Sequence, residues 1–365
     1  MRRPTVPLVE VRFHWADDDQ SLDAAVERSA AQHVLLGQAR RALDAAGVGV
    51  HRLSGKWRYS GLHLTLRLFA ADIARAVPAL ARLRPAAPGD SRHAAFREQS
   101  RRAATAREVA DAAFCAAFLP GSAGAWSPAE LAAGSAAVAD RAVGDRLEKV
   151  LLSGELAIVL VGDVDPHAEF DLPAHPRRRF ADAVVAPSPD LLRLPGGPGA
   201  DIRLGLPIPG SHDPEHWGAL VVNVDFGHPV RSRLTRALRD TGLSYHADSV
   251  VFRRGGRTAL MIVASGAAGS ADRLVEAVVA TVADVHREPP VQLRLAAERG
   301  AASILRAAAS QAKAADALLD DLVERHAHPD PRLQADLLRG SGPAHAPAAL
   351  RLFHPDRIFG VVLSG

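Results

Sequence analysis

Two histidines and a glutamate stand in an H-x-x-E-H pattern past the middle of the chain, at His212, Glu215 and His216. When such a pattern lies within a helix, histidines four residues apart share one face and can bind zinc together. The glutamate between them can then accept a proton from a zinc-bound water molecule, which is the chemistry of a metallopeptidase. The residue types alone would therefore permit metal-assisted peptide hydrolysis.

The two residues after His212 argue against a helix that contains both histidines. Pro214 suits the first position of a helix, where no backbone N–H is needed, and Asp213 suits the N-cap position before it. A helix that starts at Pro214 leaves His212 outside its first turn, so the two imidazole rings need not share a face. We therefore predict a polar helix start here and no metal ligand in this chain. An active homodimeric zinc peptidase that uses His212, Glu215 and His216 is the alternative.

This helix opens a segment, residues 213–248, that is predicted to contain two helices and a strand. An apolar run over 219–222 places the first helix in a core. The second helix is predicted to start at Pro229 and to end before Gly242, which suits the left-handed position that follows a helix. Its apolar stripe comprises Val230, Leu234, Ala237 and Leu238. Alternation of apolar and polar residues over 243–247 indicates a half-buried strand.

Four short motifs follow one another within this segment. They are an Asp-Pro-acid helix start at 213–215, Ser232-Arg233-Leu234, Leu238-Arg239-Asp240, and Gly242-Leu243-x-Tyr245. Their order resembles the second domain of the insulinase/pitrilysin-type metallopeptidases, the inverzincins, in the branch that includes the mitochondrial processing peptidase. The resemblance implies that Arg239 and Tyr245 hold the substrate peptide beside the metal. These two residues are six positions apart, one fewer than is usual in the family.

The zinc signature of that family, an H-x-x-E-H on the first helix of the first domain, is incomplete in this chain. The corresponding segment, residues 31–37, has His33 at the first ligand position, Leu36 at the position of the general base and Gly37 at the second ligand position. One histidine cannot hold a catalytic zinc ion, and leucine cannot accept a proton from water. We therefore predict that His33 packs in the core and that the first domain is catalytically inactive.

The two halves of the chain repeat the same order of predicted elements at an offset of about 195 residues, so that Gly47-Val48 corresponds to Gly242-Leu243. A strand, a helix, two strands and several helices in each half predict an α+β fold with two similar domains, each a sheet with helices packed on it. We expect a first domain over residues 1–175, a linker rich in Pro, Arg and Gly over 176–200, and a second domain over 201–365. The resemblance implies that the two domains face each other as a half-clam.

Composition excludes several classes of protein. The chain has 365 residues with a formal net charge of +3, and it contains no run of five or more like charges, which makes nucleic acid an unsuitable partner. A single cysteine, Cys115, excludes an internal disulfide framework. No apolar stretch approaches the length of a membrane span, and the N-terminus lacks the apolar core of a signal peptide. We expect a cytoplasmic protein without a membrane partner.

The sequence therefore favours a non-catalytic subunit of a heterodimeric zinc peptidase. In this hypothesis Arg239 and Tyr245 bind a peptide substrate, such as a leader or precursor peptide, beside the zinc of a homologous partner subunit that carries an intact H-x-x-E-H. This chain itself would bind no cofactor. Besides the active homodimer, a scaffold or peptide-binding protein that resembles the degenerate core subunits of respiratory complexes is an alternative.

Overall fold

The structure is a computed structural model that describes residues 7–17, 19, 21–58, 61–84, 106–119, 134, 138–165, 167–175, 190–195, 199–228, 232–244, 246–323, 330–340 and 342–364. The chain divides into two compact units. Unit 1 draws on Met1–Ala103, Ala129–Arg179 and Ala308–Val323, and unit 2 draws on Ala104–Pro128, Phe180–Ala307 and Glu324–Gly365.

Unit 1 is built on a four-stranded antiparallel sheet with the strand order β2-β3-β1-β4. The strands are β1 (Leu8–Ala16), β2 (Val50–Arg58), β3 (Gly61–Phe69) and β4 (Leu156–Gly162). Three helices of this unit are α1 (Leu22–Ala45), α2 (Ile73–Ala81) and α4 (Asp140–Ser153). Ser21 caps α1 by accepting a hydrogen bond from the N–H of Ala24. Alternate residues of β1, from Val9 to Trp15, are buried against this layer of helices, because side chains alternate across a sheet.

Unit 2 is built on a five-stranded sheet with the strand order β5-β9-β6-β8-β7, in which only the β5–β9 pair is parallel. The strands are β5 (Leu191–Pro195), β6 (Gly199–Ile208), β7 (His246–Arg254), β8 (Arg257–Ala267) and β9 (Phe359–Ser364). The helices are α3 (Ala106–Phe118), α5 (Pro214–Gly227), α6 (Arg233–Arg239), α7 (Ala271–Arg287), α8 (Leu293–Ala308), α10 (Pro331–Gly340) and α11 (Gly342–Ala349). None of the described helices is both long enough and apolar enough to cross a bilayer.

The duplication predicted from the sequence is visible in matched turns. Gly47 follows α1 with φ +64°, and Gly242 follows α6 with φ +67°. The Gly47 N–H donates to the carbonyl of Asp44, and the Gly242 N–H donates to the carbonyl of Arg239. Left-handed backbone of this kind favours glycine, which explains why the same residue type recurs at both turns. Strands β1 to β4 of unit 1 thus correspond in chain order to β6 to β9 of unit 2.

Each half of the chain also contributes one helix to the other unit. Helix α3 packs on β6 and β9 of unit 2, where Phe114 and Phe118 contact the rings of Phe252 and Phe359 at centroid distances of 5.2–5.8 Å. Helix α9 (Gln311–Val323) belongs to unit 1 and packs on β1 and β4. The sequence analysis expected contiguous domains over 1–175 and 201–365. The structure differs in that α3 belongs to unit 2 and α9 belongs to unit 1.

The described part of the expected linker is not a loop. Within 176–200, residues 191–195 form β5, and β6 starts at Gly199. Leu191 packs against the core of unit 2, and Arg193 forms an exposed ion pair with Asp272. This short strand therefore extends the sheet at its edge. The sequence did not predict it, because proline and glycine residues surround it.

A buried arginine lies on the face of each sheet that receives the exchanged helix. Arg12 of β1 has a side chain that is 2% exposed, and it binds Glu10 at 2.9 Å and Asp316 of α9 at 2.7 Å. Arg203 of β6 is equally buried and binds Asp201 and, at 2.6 Å, Asp111 of α3. Charge-assisted hydrogen bonds to a guanidinium are strong and directional. The two triads therefore hold α9 and α3 in equivalent positions on their sheets.

We expect Arg12→Met to destabilise the protein by about 3–5 kcal/mol, because it leaves the buried carboxylate of Glu10 without its closest cation. Arg193→Met is the matched control, since it removes an arginine from an ion pair in which both side chains are exposed, and should change stability by about 1 kcal/mol or less. Urea unfolding followed by circular dichroism measures both. Equal effects of the two substitutions would show that the Arg12 triad does not stabilise the fold.

Candidate functional site

The helix start predicted at Pro214 is present. Asp213 is the N-cap of α5, and its carboxylate accepts a hydrogen bond of 2.8 Å from the N–H of Glu215. Pro214 occupies the first helical position, as expected. Farther along α5, the predicted apolar run packs in the core of unit 2. The segment that resembles a peptidase domain is therefore anchored at its first helix.

The three residues of the H-x-x-E-H pattern point to different surroundings. His212 is exposed in the turn that precedes the cap. Both carboxylate oxygens of Glu215 accept hydrogen bonds from Arg351, at 2.7 and 2.5 Å. His216 is fully buried; its Nδ1 donates to the carbonyl of Pro209 at 2.9 Å, and burial lowers its pKa to about 4. In the part of the chain that the structure describes, no group of three or more His, Cys, Asp or Glu side chains is placed to hold a metal ion.

The degenerate zinc segment lies in the middle of α1. His33 is half-buried and does not lie in the core as predicted, because its position on the helix is at the margin of the buried stripe. Partial burial lowers its pKa. Leu36 packs against the hydrophobic core of unit 1, so the position that corresponds to a general base is used for packing.

Helix α6 carries the first residue of the predicted substrate-binding pair. Its described residues start at Arg233, where the Ser232 hydroxyl caps it by accepting a hydrogen bond of 3.1 Å from the N–H of Thr235. Pro229 lies outside the described residues. Leu234 and Leu238 are fully buried, which confirms the apolar stripe at these positions. Arg239 is the last residue of the helix, and its side chain is exposed.

The turn that follows α6 is fixed by its backbone. Besides the Gly242 bond, the N–H groups of Leu243 and Ser244 both donate to the carbonyl of Leu238, at 2.9 and 3.0 Å. The Ser244 hydroxyl is bonded to the carbonyls of His246 and Ser265, at 2.7 and 2.6 Å. Strand β7 therefore begins at His246, later than the alternation of side chains indicated.

Tyr245, the second residue of the pair, lies outside the described residues. The residues on either side of it are held by the Ser244 hydroxyl, because the N–H of His246 also donates to that hydroxyl, at 3.2 Å. Arg239 forms no ion pair with any carboxylate in the described ranges. The turn thus places the exposed guanidinium of Arg239 seven residues before the start of β7. This group can donate hydrogen bonds to a ligand.

A network of ion pairs at the start of α1 was not predicted. Arg146 of α4 binds Asp17, Asp19 and Glu27, and Arg28 binds Asp17 at 2.9 Å. Burial by itself would raise the pKa of Asp19, but hydrogen bonds from Ser21 and the ion pair with Arg146 lower it well below its usual range. The partners are up to 129 positions apart, so no local sequence pattern indicates them. The network fixes the helix that contains the degenerate zinc segment.

Comparisons with known proteins by sequence and by structure find similar relatives. Residues 153–299 match the family model described as the Peptidase M16 inactive domain. The structure is similar to a protease from Helicobacter pylori, with a TM-score of 0.75 and 13% identity over 98% of this chain and 95% of the other. It is also similar to a peptidase M16 inactive domain from Pseudomonas fluorescens, with a TM-score of 0.72 and 16% identity over 98% and 93% of the two chains.

A third similar structure is a mutant of the ferredoxin protease FusC in complex with Arabidopsis ferredoxin, with a TM-score of 0.60 and 15% identity. The alignment covers 98% of this chain and 42% of that protease. No curated protein matches the chain by sequence. At these identities the structural matches establish the two-domain fold.

The buried His216 predicts a pH dependence of stability. Its pKa is about 4 in the folded protein and about 6.5 in the unfolded chain, so between these values the unfolded state binds the additional proton. The contribution of His216 is therefore complete above about pH 6.5 and is lost as the pH falls towards 4, by about 3 kcal/mol in total. We expect His216→Asn to reduce the loss of stability between about pH 7.5 and about pH 5, measured by urea unfolding.

His212→Asn is the control for this measurement, because His212 is four residues away and exposed. It should leave the pH dependence as in the wild-type protein. If both substitutions change the pH dependence by the same amount, the burial of His216 is not its cause.

Proposed function

We propose that this chain is the non-catalytic subunit of a two-chain zinc peptidase. It is similar to the insulinase-type (M16) family over residues 153–299 and in its two-domain fold. Its role would be to hold a peptide beside the zinc of a homologous partner that carries an intact H-x-x-E-H. The observation that carries the proposal is an exposed Arg239 at the end of α6, beside an anchored turn, in a chain whose α1 has lost two of the signature residues.

The chain's own residues favour a subunit that does not cleave. Leu36 packs in the core at the position of the general base, and Gly37 has no side chain to bind a metal. At the other H-x-x-E-H pattern, Glu215 is bound to Arg351 and His216 is buried against Pro209. Zinc ligands must converge on one point with open access for water. These observations disfavour the active homodimer.

In the proposed mechanism Arg239 acts on the substrate backbone. A guanidinium presents several N–H donors in one plane and stays charged at any physiological pH, so it can donate to a peptide carbonyl both before and during attack by water. Hydrogen bonds to that oxygen lower the barrier most when they strengthen as negative charge develops on it. The hydroxyl of Tyr245 would donate to the same peptide. The partner's zinc would supply the activated water.

The proposed substrate is a peptide or an unfolded polypeptide, such as a leader or precursor. One similar structure, the FusC protease, is in complex with a protein, a ferredoxin. This chain aligns with less than half of that protease, which supports an arrangement in which a second subunit completes the enzyme. A pure scaffold role is the alternative, and it differs in requiring no contribution from Arg239.

We expect the purified chain to contain far less than one zinc ion per chain after loosely bound metal is removed, and to leave unfolded peptides intact. The reason is the missing ligand and general base on α1. Elemental analysis and a peptide cleavage assay by mass spectrometry measure both properties. Close to one zinc per chain, lost on substitution of His212 and His216, would support the active homodimer.

In the complex with a zinc-bearing partner, Arg239→Ala should lower kcat/KM for peptide cleavage by about 100-fold, the effect of removing one oxyanion donor. Tyr245→Phe should lower it by about tenfold, since a single hydrogen bond is lost. Arg332→Ala is the matched control, because it removes an exposed arginine from α10. Size-exclusion chromatography verifies that each complex is assembled. Unchanged turnover in an assembled Arg239→Ala complex would favour the scaffold.

A further inference from the structure

Four exposed arginines occupy two helices of unit 2. Arg236 and Arg239 belong to α6, and Arg299 and Arg306 belong to α8. Within the described ranges none of the four forms an ion pair with a carboxylate. We call these residues the α6/α8 basic surface.

Both helices contact the end of α5, so the arginines belong to two elements that meet the same helix end. Helix α8 packs closely on α5 at Gly300, next to Arg299: a Cβ atom at this glycine would lie 3.1 Å from Cγ2 of Val224. At the start of α6, the Thr235 hydroxyl donates to the carbonyl of His228, the residue that ends α5, at 3.2 Å. The pKa of His228 is lowered by burial and then by the charges of Arg306 and Arg299, which agrees with their proximity.

The acidic groups at the end of α5, after α6 and on α8 do not neutralise the four arginines. Asp225 near the end of α5 is bound by Arg233 at 2.7 Å. Glu298, which precedes Arg299, is bound by Arg339 at 3.0 Å. Asp240, which follows Arg239, is an exposed carboxylate that forms no ion pair among the described residues. The sum of these charges is positive, and a positive surface concentrates negatively charged ligands near it.

We propose that the α6/α8 basic surface binds aspartate and glutamate side chains of the substrate peptide, so that this subunit selects acidic peptides. This inference rests on the proposed function, because Arg239 would contact the peptide backbone while the other three arginines contact its side chains. Guanidinium groups pair with carboxylates through two parallel hydrogen bonds, which gives geometric selectivity as well as attraction. The preference would weaken with salt, because the charges are exposed.

Nucleic acid fits this surface less well than an acidic peptide does. Neither α6 nor α8 contains an aromatic residue on which a base could stack. The formal net charge of the chain is only +3, and basic residues do not form a continuous run. A peptide with a few carboxylates matches four separated guanidinium groups better than a continuous row of phosphates does.

The test compares two labelled peptides that differ only in charge. In one, glutamate alternates with serine; in the other, glutamine replaces every glutamate. Fluorescence anisotropy with the full chain at low ionic strength should show about tenfold tighter binding of the glutamate peptide, since each exposed ion pair contributes little and several act together. The triple variant Arg236→Gln/Arg299→Gln/Arg306→Gln should lose this preference while it retains the wild-type circular dichroism spectrum.

The control variant Arg273→Gln/Arg294→Gln/Arg332→Gln removes the same charge from exposed positions on α7, α8 and α10. It should keep the preference for glutamate. The proposal is overturned if wild-type protein binds both peptides equally, if both triple variants lose the preference to the same extent, or if single-stranded RNA binds more tightly than the glutamate peptide.

A failure of this inference can be told apart from a failure of the proposed function. In the proposed function, turnover of the uncharged glutamine peptide by the complex with the zinc-bearing partner depends on Arg239 but not on Arg236, Arg299 or Arg306. If Arg239→Ala abolishes that turnover while no preference for glutamate exists, the proposed function stands and the selection of acidic peptides is wrong. If the preference exists and Arg239→Ala leaves turnover unchanged, the basic surface binds acidic peptides without a role in cleavage.

Discussion

The ion triads of Arg12 and Arg203 are the constraint on which the arrangement of helices depends. Burying a guanidinium is costly unless its donors are bound and its charge is offset. A neighbouring carboxylate on the same strand, Glu10 or Asp201, meets only part of this requirement. The remaining donor needs a carboxylate from outside the sheet, which Asp316 and Asp111 deliver from the exchanged helices. Apolar contacts supply most of the buried area, but the triads fix where on the sheet each helix lies.

The candidate site depends on the same sheet in unit 2. Helix α6 has only seven residues, too few to be stable by itself, so its direction is set by the burial of Leu234 and Leu238 and by the Ser232 cap. The matched turn of unit 1 has the same backbone but different side chains. Asp44 takes the place of Arg239 there, with its carbonyl bound by the glycine N–H in the same way. Duplication therefore supplied the scaffold twice, and the exposed cation belongs to the second copy alone.

Local chemistry explains what could be predicted from the sequence. The start of α5 at Pro214 and the turns at Gly47 and Gly242 depend on groups within four residues of one another, so their residue types predict them. The exchange of helices could not be predicted, because Arg12 and Asp316 are 304 positions apart, and an arginine in a strand suggests an exposed face. Strand β5 could not be predicted either, because the proline residues around it indicate a linker. For the site, the helix start at Pro214, which leaves His212 outside the helix, agrees with the sequence. The role of Arg239 is a proposal, and Tyr245 lies outside the described residues.

The two units differ in what their exposed and buried polar groups require. In unit 1, ion pairs on α1 are satisfied within the unit, and Leu36 adds to its core, so α1 functions as a structural helix. In unit 2, the exposed arginines of α6 and α8 form no ion pair with a carboxylate of the described residues, so their charges stay open to solvent. In the proposed complex, carboxylates of the ligand would offset the charges of the α6/α8 basic surface. The proposed binding surface therefore lies on unit 2, whereas α1 of unit 1 is held by ion pairs and by its core contacts.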